Sequence, residues 1–296
     1  MIALLHPFTL RKQLAEPAIK MLDSRRVSGR ASPQAWLAIL DDLGAFDRCC
    51  ERARRHAGLG ALFSGIAVIG CLLVAFYPGA IGSGILFIPF FGLWLRFRAI
   101  DLPDALRLFV SPLVAVLRED MKSGALLSID ADLSGPLVKE KKTNVQKIPR
   151  AQLHGRVRSR KETFYEDPWL EIRGKFVDQT SFILTCRDEV IQADITKRSQ
   201  SGKTKSKRKY KFKRLTGVVL KPDPTQYAPV NPDAAPANTA AQIKQRENGF
   251  TVHASQKEKK AGKPESSVPD IDDLLLLVGY AVSHCAPLES NPGEPS

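Results

Sequence analysis

Residues 57–77 read AGLGALFSGIAVIGCLLVAFY, residues 78–79 PG, and residues 80–95 AIGSGILFIPFFGLWL, without a single Asp, Glu, Lys or Arg. A helix on the outside of a soluble core must show water a polar face, and this stretch has none to show. A bilayer hydrocarbon core about 30 Å thick takes about 20 apolar residues per helical pass. The stretch therefore predicts two passes, 57–77 and a shorter 80–95. Tyr77-Pro78-Gly79 and Gly82-Ser83-Gly84 supply the backbone freedom for a tight reversal. Pro89 sits inside the second pass, which predicts a kink and makes a re-entrant hairpin the competing geometry.

Arg48, Arg52, Arg54 and Arg55 precede the first pass, Arg96 and Arg98 follow the second, and the connecting loop is uncharged. Lys and Arg flanking a span favour the cytoplasmic side. The expectation is an integral membrane protein with both termini cytoplasmic and its loop facing outward. Tyr77 and Trp94 fall where interfacial aromatics belong. Gly60/Ser64 and Ala61/Gly65 are small pairs four apart, so another helix can approach there closely, including that of a second copy in a homo-oligomer.

Outside the hairpin the charge is concentrated. Residues 139–214 hold 22 Lys or Arg against 9 Asp or Glu, which accounts for the whole formal net charge of +13. Five cysteines, Cys49, Cys50, Cys71, Cys186 and Cys285, show no C-x-x-C pair and no metal-ligand spacing with the histidines, which reads as reduced structural thiols. No cofactor and no metal is expected. The N-terminus lacks the cationic start and long apolar run of a cleaved signal peptide.

The expected fold class is an α+β membrane protein. It comprises the two-helix hairpin (57–95), amphipathic helices, and a cytoplasmic antiparallel β-rich domain. Residues 1–56 form an N-terminal helical region, with a short helix broken at Pro17 and a second one capped by Ser32 and opened by Pro33. The apolar face of the second carries Trp36, Ile39, Leu40, Leu43 and Phe46. In residues 96–123, Leu106, Phe109, Val110, Leu113, Val116 and Leu117 share a face that suits the membrane interface, with a restart at Ser111-Pro112. Residues 124–221 alternate as strands: one from Leu127, then, beyond a basic loop over 139–161, strands beginning at Trp169, Ser181, Val190 and Lys203. A Pro/Ala-rich linker (222–245), one more strand with a terminal helix (246–285), and a disordered tail (286–296) complete the chain.

The most informative motif is KTKSKRKYKFKR at 203–214. Lys203, Lys205, Lys207, Lys209, Lys211 and Lys213 recur with a period of two. On a strand they place six ammonium groups on one face, about 6.5–7 Å apart. Such a ladder repels itself unless anions lie along it, so it points to anionic headgroups, nucleic acid or an acidic protein. The plain structural role is an edge strand whose lysines prevent aggregation. The opposite face offers Tyr210 and Phe212 to a core.

Ser201-Gly202-Lys203-Thr204 is not a phosphate-binding P-loop: position 197 is Lys where that motif needs Gly, and a strand follows rather than a helix. His154 with Arg156, Arg158 and Arg160, close to Glu162, Glu166 and Asp167, is the one stretch with acid–base groups. No catalytic residue is assigned. The leading expectation is a membrane-anchored, non-enzymatic binding protein presenting a basic β-domain to an anionic partner, with membrane lipids around its hairpin. The alternatives are an enzyme on membrane or phosphorylated substrates that uses the His154–Asp167 loop, and a structural subunit of a membrane complex.

Overall fold

The computed structural model describes residues 2–100, 102–153, 155, 157–199, 201–232, 235–262 and 267–288. In chain order it forms α1 (Ile2–Gln13), α2 (Glu16–Ser24), β1 (Arg26–Ala31), α3 (Pro33–Leu73), α4 (Tyr77–Ile100) and α5 (Ser111–Glu119). It continues as β2 (Leu127–Asp132), β3 (Lys142–Ile148), β4 (Val157–Lys175), β5 (Ser181–Arg198), β6 (Thr204–Lys221), β7 (Tyr227–Pro229), β8 (Thr239–Arg246), β9 (Gly249–Ala261), α6 (Ile271–Val282) and β10 (Cys285–Pro287). These elements make two compact units, one from Met1–Ser24 with Leu37–Arg107, the other from Arg25–Trp36 with Leu108–Ser296.

The first unit is built on α3 and α4, two helices long and apolar enough to cross a membrane. The expected amphipathic helix and the first pass are one continuous α3 of 41 residues. Its N-terminus is capped as expected, Ser32 Oγ accepting the Ala35 N–H at 3.3 Å. A buried stripe at helical spacing runs along it through Leu40, Leu43, Asp47, Cys50, Ala53, Ala57, Ala61 and Ser64. Before Ala57 the other faces carry Asp41, Asp42, Arg48 and Arg52. After it they carry Leu59, Leu62, Phe63, Ile66 and Ile69, each more than half exposed. Only 11% of the apolar stretch of either helix is buried.

After a reversal at Val74–Phe76, α4 runs unbroken through Pro89 for 24 residues, about 36 Å at 1.5 Å per residue. The small residues of α3 admit its aromatics. A Cβ at Gly60 would lie 2.6 Å from the Phe90 ring, and one at Gly58 3.2 Å from Trp94. The close approach expected of another helix is thus made by α4 of the same chain. At the base, Phe97 packs on Ala53 and Ala57, and Phe8 of α1 closes over it with ring centroids 5.8 Å apart. The short helix expected to break at Pro17 is split there: α1 ends at Gln13 and α2 starts at Glu16, with Pro17 in its first turn, where a missing N–H is harmless.

The second unit is a mixed α+β body around one antiparallel sheet, ordered β1-β2-β4-β5-β6-β9-β8, with β3 added along the outer half of β4. Trp36 is buried in it and donates its indole N–H to the Leu127 carbonyl at 2.8 Å. Core side chains point to one face from successive strands: Ile129, Ile172, Leu184, Val218 and Val252. α6 packs on β6 and β9 through Leu274 and Leu277. Of the face expected to meet the acyl chains, Leu106, Phe109, Val110, Leu113 and Leu117 are instead buried within the protein and only Val116 is exposed; Phe109 meets Trp169 at 6.0 Å. A π-helical turn (Leu106–Val110) precedes the restart at Ser111-Pro112, because Pro112 has no N–H to continue the ladder.

Other expectations shift as well. The N-terminal region expected to be helical contains a strand, β1, between α2 and α3. The loop over 139–161 holds β3 and the start of β4, and β8 and β7 form within the expected linker. The strands from Ser181 and Val190 are one β5. Residues 286–287 pair with β7 instead of opening a disordered tail, and residues 289–296 lie outside the described residues. Replacing Gly60 by Val should force the Phe90 ring away and destabilise the hairpin by about 1–3 kcal/mol. Gly70→Val, which meets nothing within 4 Å, should be nearly silent, and thermal melts of both variants in detergent check this.

Candidate anion-binding surface

The strands β4, β5 and β6 outrun the helices that cover the core, and their far ends carry the lysine ladder. A tight turn joins β5 to β6, with Ser199 N–H donating to the Lys203 carbonyl at 2.8 Å and Gly202 at φ +78°, which favours glycine. Lys203 lies in this turn; Lys205, Lys207, Lys209, Lys211 and Lys213 lie on β6. Residues 204–209 are exposed on both faces. The antiparallel pairing sets Lys205 opposite Lys197, Lys207 opposite Ile195, Lys209 opposite Ala193, Lys211 opposite Ile191 and Lys213 opposite Glu189. Only Lys213 meets a carboxylate, Glu189 at 3.0 Å. Lys205, Lys207, Lys209 and Lys211 have no ion pair among the described residues. Ile195, between Lys207 and Arg160, and Ala193, between Lys209 and Glu162, are nonetheless buried, as long side chains cover them with their aliphatic stems.

The other face of β6 is compensated. Arg208 bonds Asp194 at 2.7 Å and holds that carboxyl below the usual range. Phe212 is buried opposite Val190, and Tyr210 is half-buried. Arg214, which the sequence does not single out, is 4% exposed and grips Asp188 through two 2.8 Å bonds, while its third nitrogen donates to the Ser267 carbonyl at 2.8 Å. Asp188 is the neighbour of Asp167 across β5–β4. Asp167, 2% exposed, is held by Lys141 Nζ at 2.7 Å, which also reaches Asp132 at 2.8 Å. Burial pushes the Asp167 carboxyl up; Lys141 opposes the shift, and Asp132 and Asp188 reinforce it. Burial likewise pushes the Cys186 thiol up to about 12, so it carries no thiolate near neutral pH. One signal for this layer was available: Asp188 has the same parity as Phe182, Leu184, Cys186 and Val190, so it had to point inward.

The acid–base stretch is spread out. His154 and Arg156 lie outside the described residues. Arg158 lines a pocket of about 580 Å³ with Arg150, Arg198 and Ser199. Arg160 pairs with Glu162 at 2.5 Å, and Glu166 pairs with Arg187. Glu162 and Glu166 share one face of β4 and Asp167 takes the other, so the three carboxylates do not converge. Among the described residues no group of three His, Cys, Asp or Glu side chains is placed to hold a metal ion.

The flanking arginines gather at the base of the hairpin. Arg52, Arg54 and Arg55 lie one turn from the packed Ala53, Ala57 and Phe97, and Arg55 pairs with Glu51 at 2.5 Å. Arg96 stacks over Phe8 at 5.0 Å, and Arg98 over Trp94 at 5.6 Å. No protein-family model, curated protein or solved structure matches the chain, so the geometry alone bears on function.

Removing Lys141 with Lys141→Met should strip Asp132 and Asp167 of a shared cation and raise both folded-state pKa values. A carboxyl raised in the folded state costs stability as pH rises through its range, so the defect should be about 3 kcal/mol at pH 7 and should shrink towards pH 4. Thermal melts of parent and variant at the two pH values measure the gap.

Proposed function

We propose that this chain is a membrane-anchored, non-enzymatic binding protein whose basic β-domain engages an anionic partner at the cytoplasmic membrane face. The observation that carries the reading is the run of four outward lysines, Lys205 to Lys211, with no carboxylate opposite them in the sheet. A row of like charges spaced by two residues is self-repelling, and an external anion relieves it. Anionic lipid headgroups suit the anchor best, since each Lys or Arg near a negative leaflet gains about 1 kcal/mol. The anchor itself rests on α3 and α4, whose outward surface from Leu59 to Leu95 is apolar yet unburied.

The full chain in neutral-lipid nanodiscs should bind phosphatidylserine vesicles, more weakly as salt rises. Changing Lys205, Lys207, Lys209 and Lys211 to Gln should cut that binding at least tenfold without lowering the melting temperature. Oligonucleotides tested beside the vesicles show whether nucleic acid is the better ligand. If the Gln variant binds vesicles and oligonucleotides like the parent, the ladder is an anti-aggregation edge and the reading fails.

Topology is tested separately, in a chain whose native cysteines are replaced by Ala. A cysteine at Ser83 should react with an impermeant thiol reagent outside intact cells, and one at the exposed Ser206 only after lysis. Reaction at both positions only after lysis would indicate a re-entrant hairpin. Cys186 is no reporter for this purpose, being 2% exposed.

A further inference from the structure

At the end of the sheet away from the ladder, a second basic site is built from segments far apart in sequence. A cleft of about 780 Å³ lies between the 122–126 loop, the β4–β5 turn and the sheet. Five cations line it: Arg30 from β1, Lys122 from the loop, Arg173 and Lys175 from β4, and Lys221 at the end of β6. No Asp or Glu lines it. Arg173 is paired with Glu171 at 2.6 Å, whereas Arg30, Lys122, Lys175 and Lys221 have no ion pair among the described residues.

The strand pairing orders these charges. Ser128 lies between Arg30 and Arg173, and Ser181 lies between Lys175 and Lys221. Each row is therefore a cation, a serine and a cation, with the outer two about 9–10 Å apart across two strand spacings. Along β4, Arg173 and Lys175 link the rows. On the core side of the sheet behind these rows, the buried Phe182 stacks on Phe176, 4.5 Å between centroids. The positive field extends beyond it: His253, opposite Val219, has its imidazole pKa lowered by burial and then by Lys244, Arg246 and Lys221.

We propose that this cleft binds a ligand of nucleotide size carrying two or more phosphate groups. Its volume falls in the range of small-molecule sites, roughly 300–1,000 Å³. Two separated cation pairs suit an anion with charge at more than one point, and arginine forks and serine hydroxyls are natural partners of phosphate oxygens. The same chemistry can come from a soluble polyphosphate or from a phosphorylated lipid headgroup. The site shares no residue with the lysine ladder and stands independently of the function proposed for it.

The test uses the full chain in neutral-lipid nanodiscs at 150 mM salt, with ATP and inositol hexakisphosphate as soluble probes and inorganic phosphate as the singly phosphorylated control. A further arm uses nanodiscs containing phosphatidylinositol 4,5-bisphosphate. At least one multiply phosphorylated probe should bind ten times more tightly than inorganic phosphate. Arg30→Gln with Lys175→Gln should raise its Kd at least tenfold with an unchanged melting temperature, since both side chains are exposed and unpaired. Lys205→Gln with Lys209→Gln should leave that Kd within twofold. Binding of a soluble probe indicates a water-soluble ligand, and binding of the lipid alone indicates a headgroup. The proposal is overturned if no multiply phosphorylated probe binds, if the cleft variant binds like the parent, or if the ladder variant alone abolishes binding.

Discussion

A sheet longer than its cover is the constraint on which the second unit depends. β4, β5 and β6 have 19, 18 and 18 residues, about 60 Å each at about 3.3 Å per residue. The helices α5 and α6 have 9 and 12 residues, about 14 and 18 Å. A short helix cannot shield a long strand, so an apolar core is possible over part of the sheet only. Beyond it both faces of β6 meet water, and side chains that satisfy water on both faces are what residues 204–209 provide. The lysines are thus first a solution to a solvation problem. Their lack of opposing carboxylates is a separate fact, and the binding role proposed for them rests on it.

The transition from core to extension passes through buried charge. Lys141, Asp167, Asp188 and Arg214 lie together where the apolar core thins. Such a layer contributes little net stability compared with well-packed apolar residues, because desolvation consumes most of the Coulomb attraction. Breaking it is another matter, since each removed partner strands a charge away from water. The first unit buries the carboxylate of Asp47, which accepts the Leu102 N–H at 3.2 Å, and keeps its cations outside. Arg52, Arg55, Arg96 and Arg98 stay at the base of the hairpin, while small residues of α3 bring α4 close enough for its aromatic rings to pack.

How far the sequence discloses all this depends on the range of the interactions. The hairpin and the alternation of Lys205 to Lys213 are local patterns, and both are legible residue by residue. Pro168 suggests a break before Trp169, yet β4 continues through it, because an irregularity between Pro168 and Leu170 absorbs the missing N–H. Arg187-Asp188-Glu189 suggests the end of a strand, yet β5 continues, because Arg214 from the next strand neutralises Asp188. β1 has Val27 as its one buried apolar residue, and its pairing with β2 spans about a hundred positions of chain. The cleft lined by Arg30, Lys122, Arg173, Lys175 and Lys221 is invisible for the same reason: no window of sequence holds its members together.

The regularity of the ladder has a cost in assembly. Because the lysines repeat every second residue, sliding β6 past β5 by two positions puts a lysine back at nearly every place a lysine had been. Nothing in the ladder itself tells the chain which alignment is correct. The information comes from Phe212 and Arg214, which must find Val190 and Asp188, and a two-residue slide would leave Asp188 facing an aromatic ring or a threonine in place of a guanidinium. The buried ion pair then acts as an indexing pin for a repetitive strand, making the misaligned hairpins expensive even though it adds little to the aligned one.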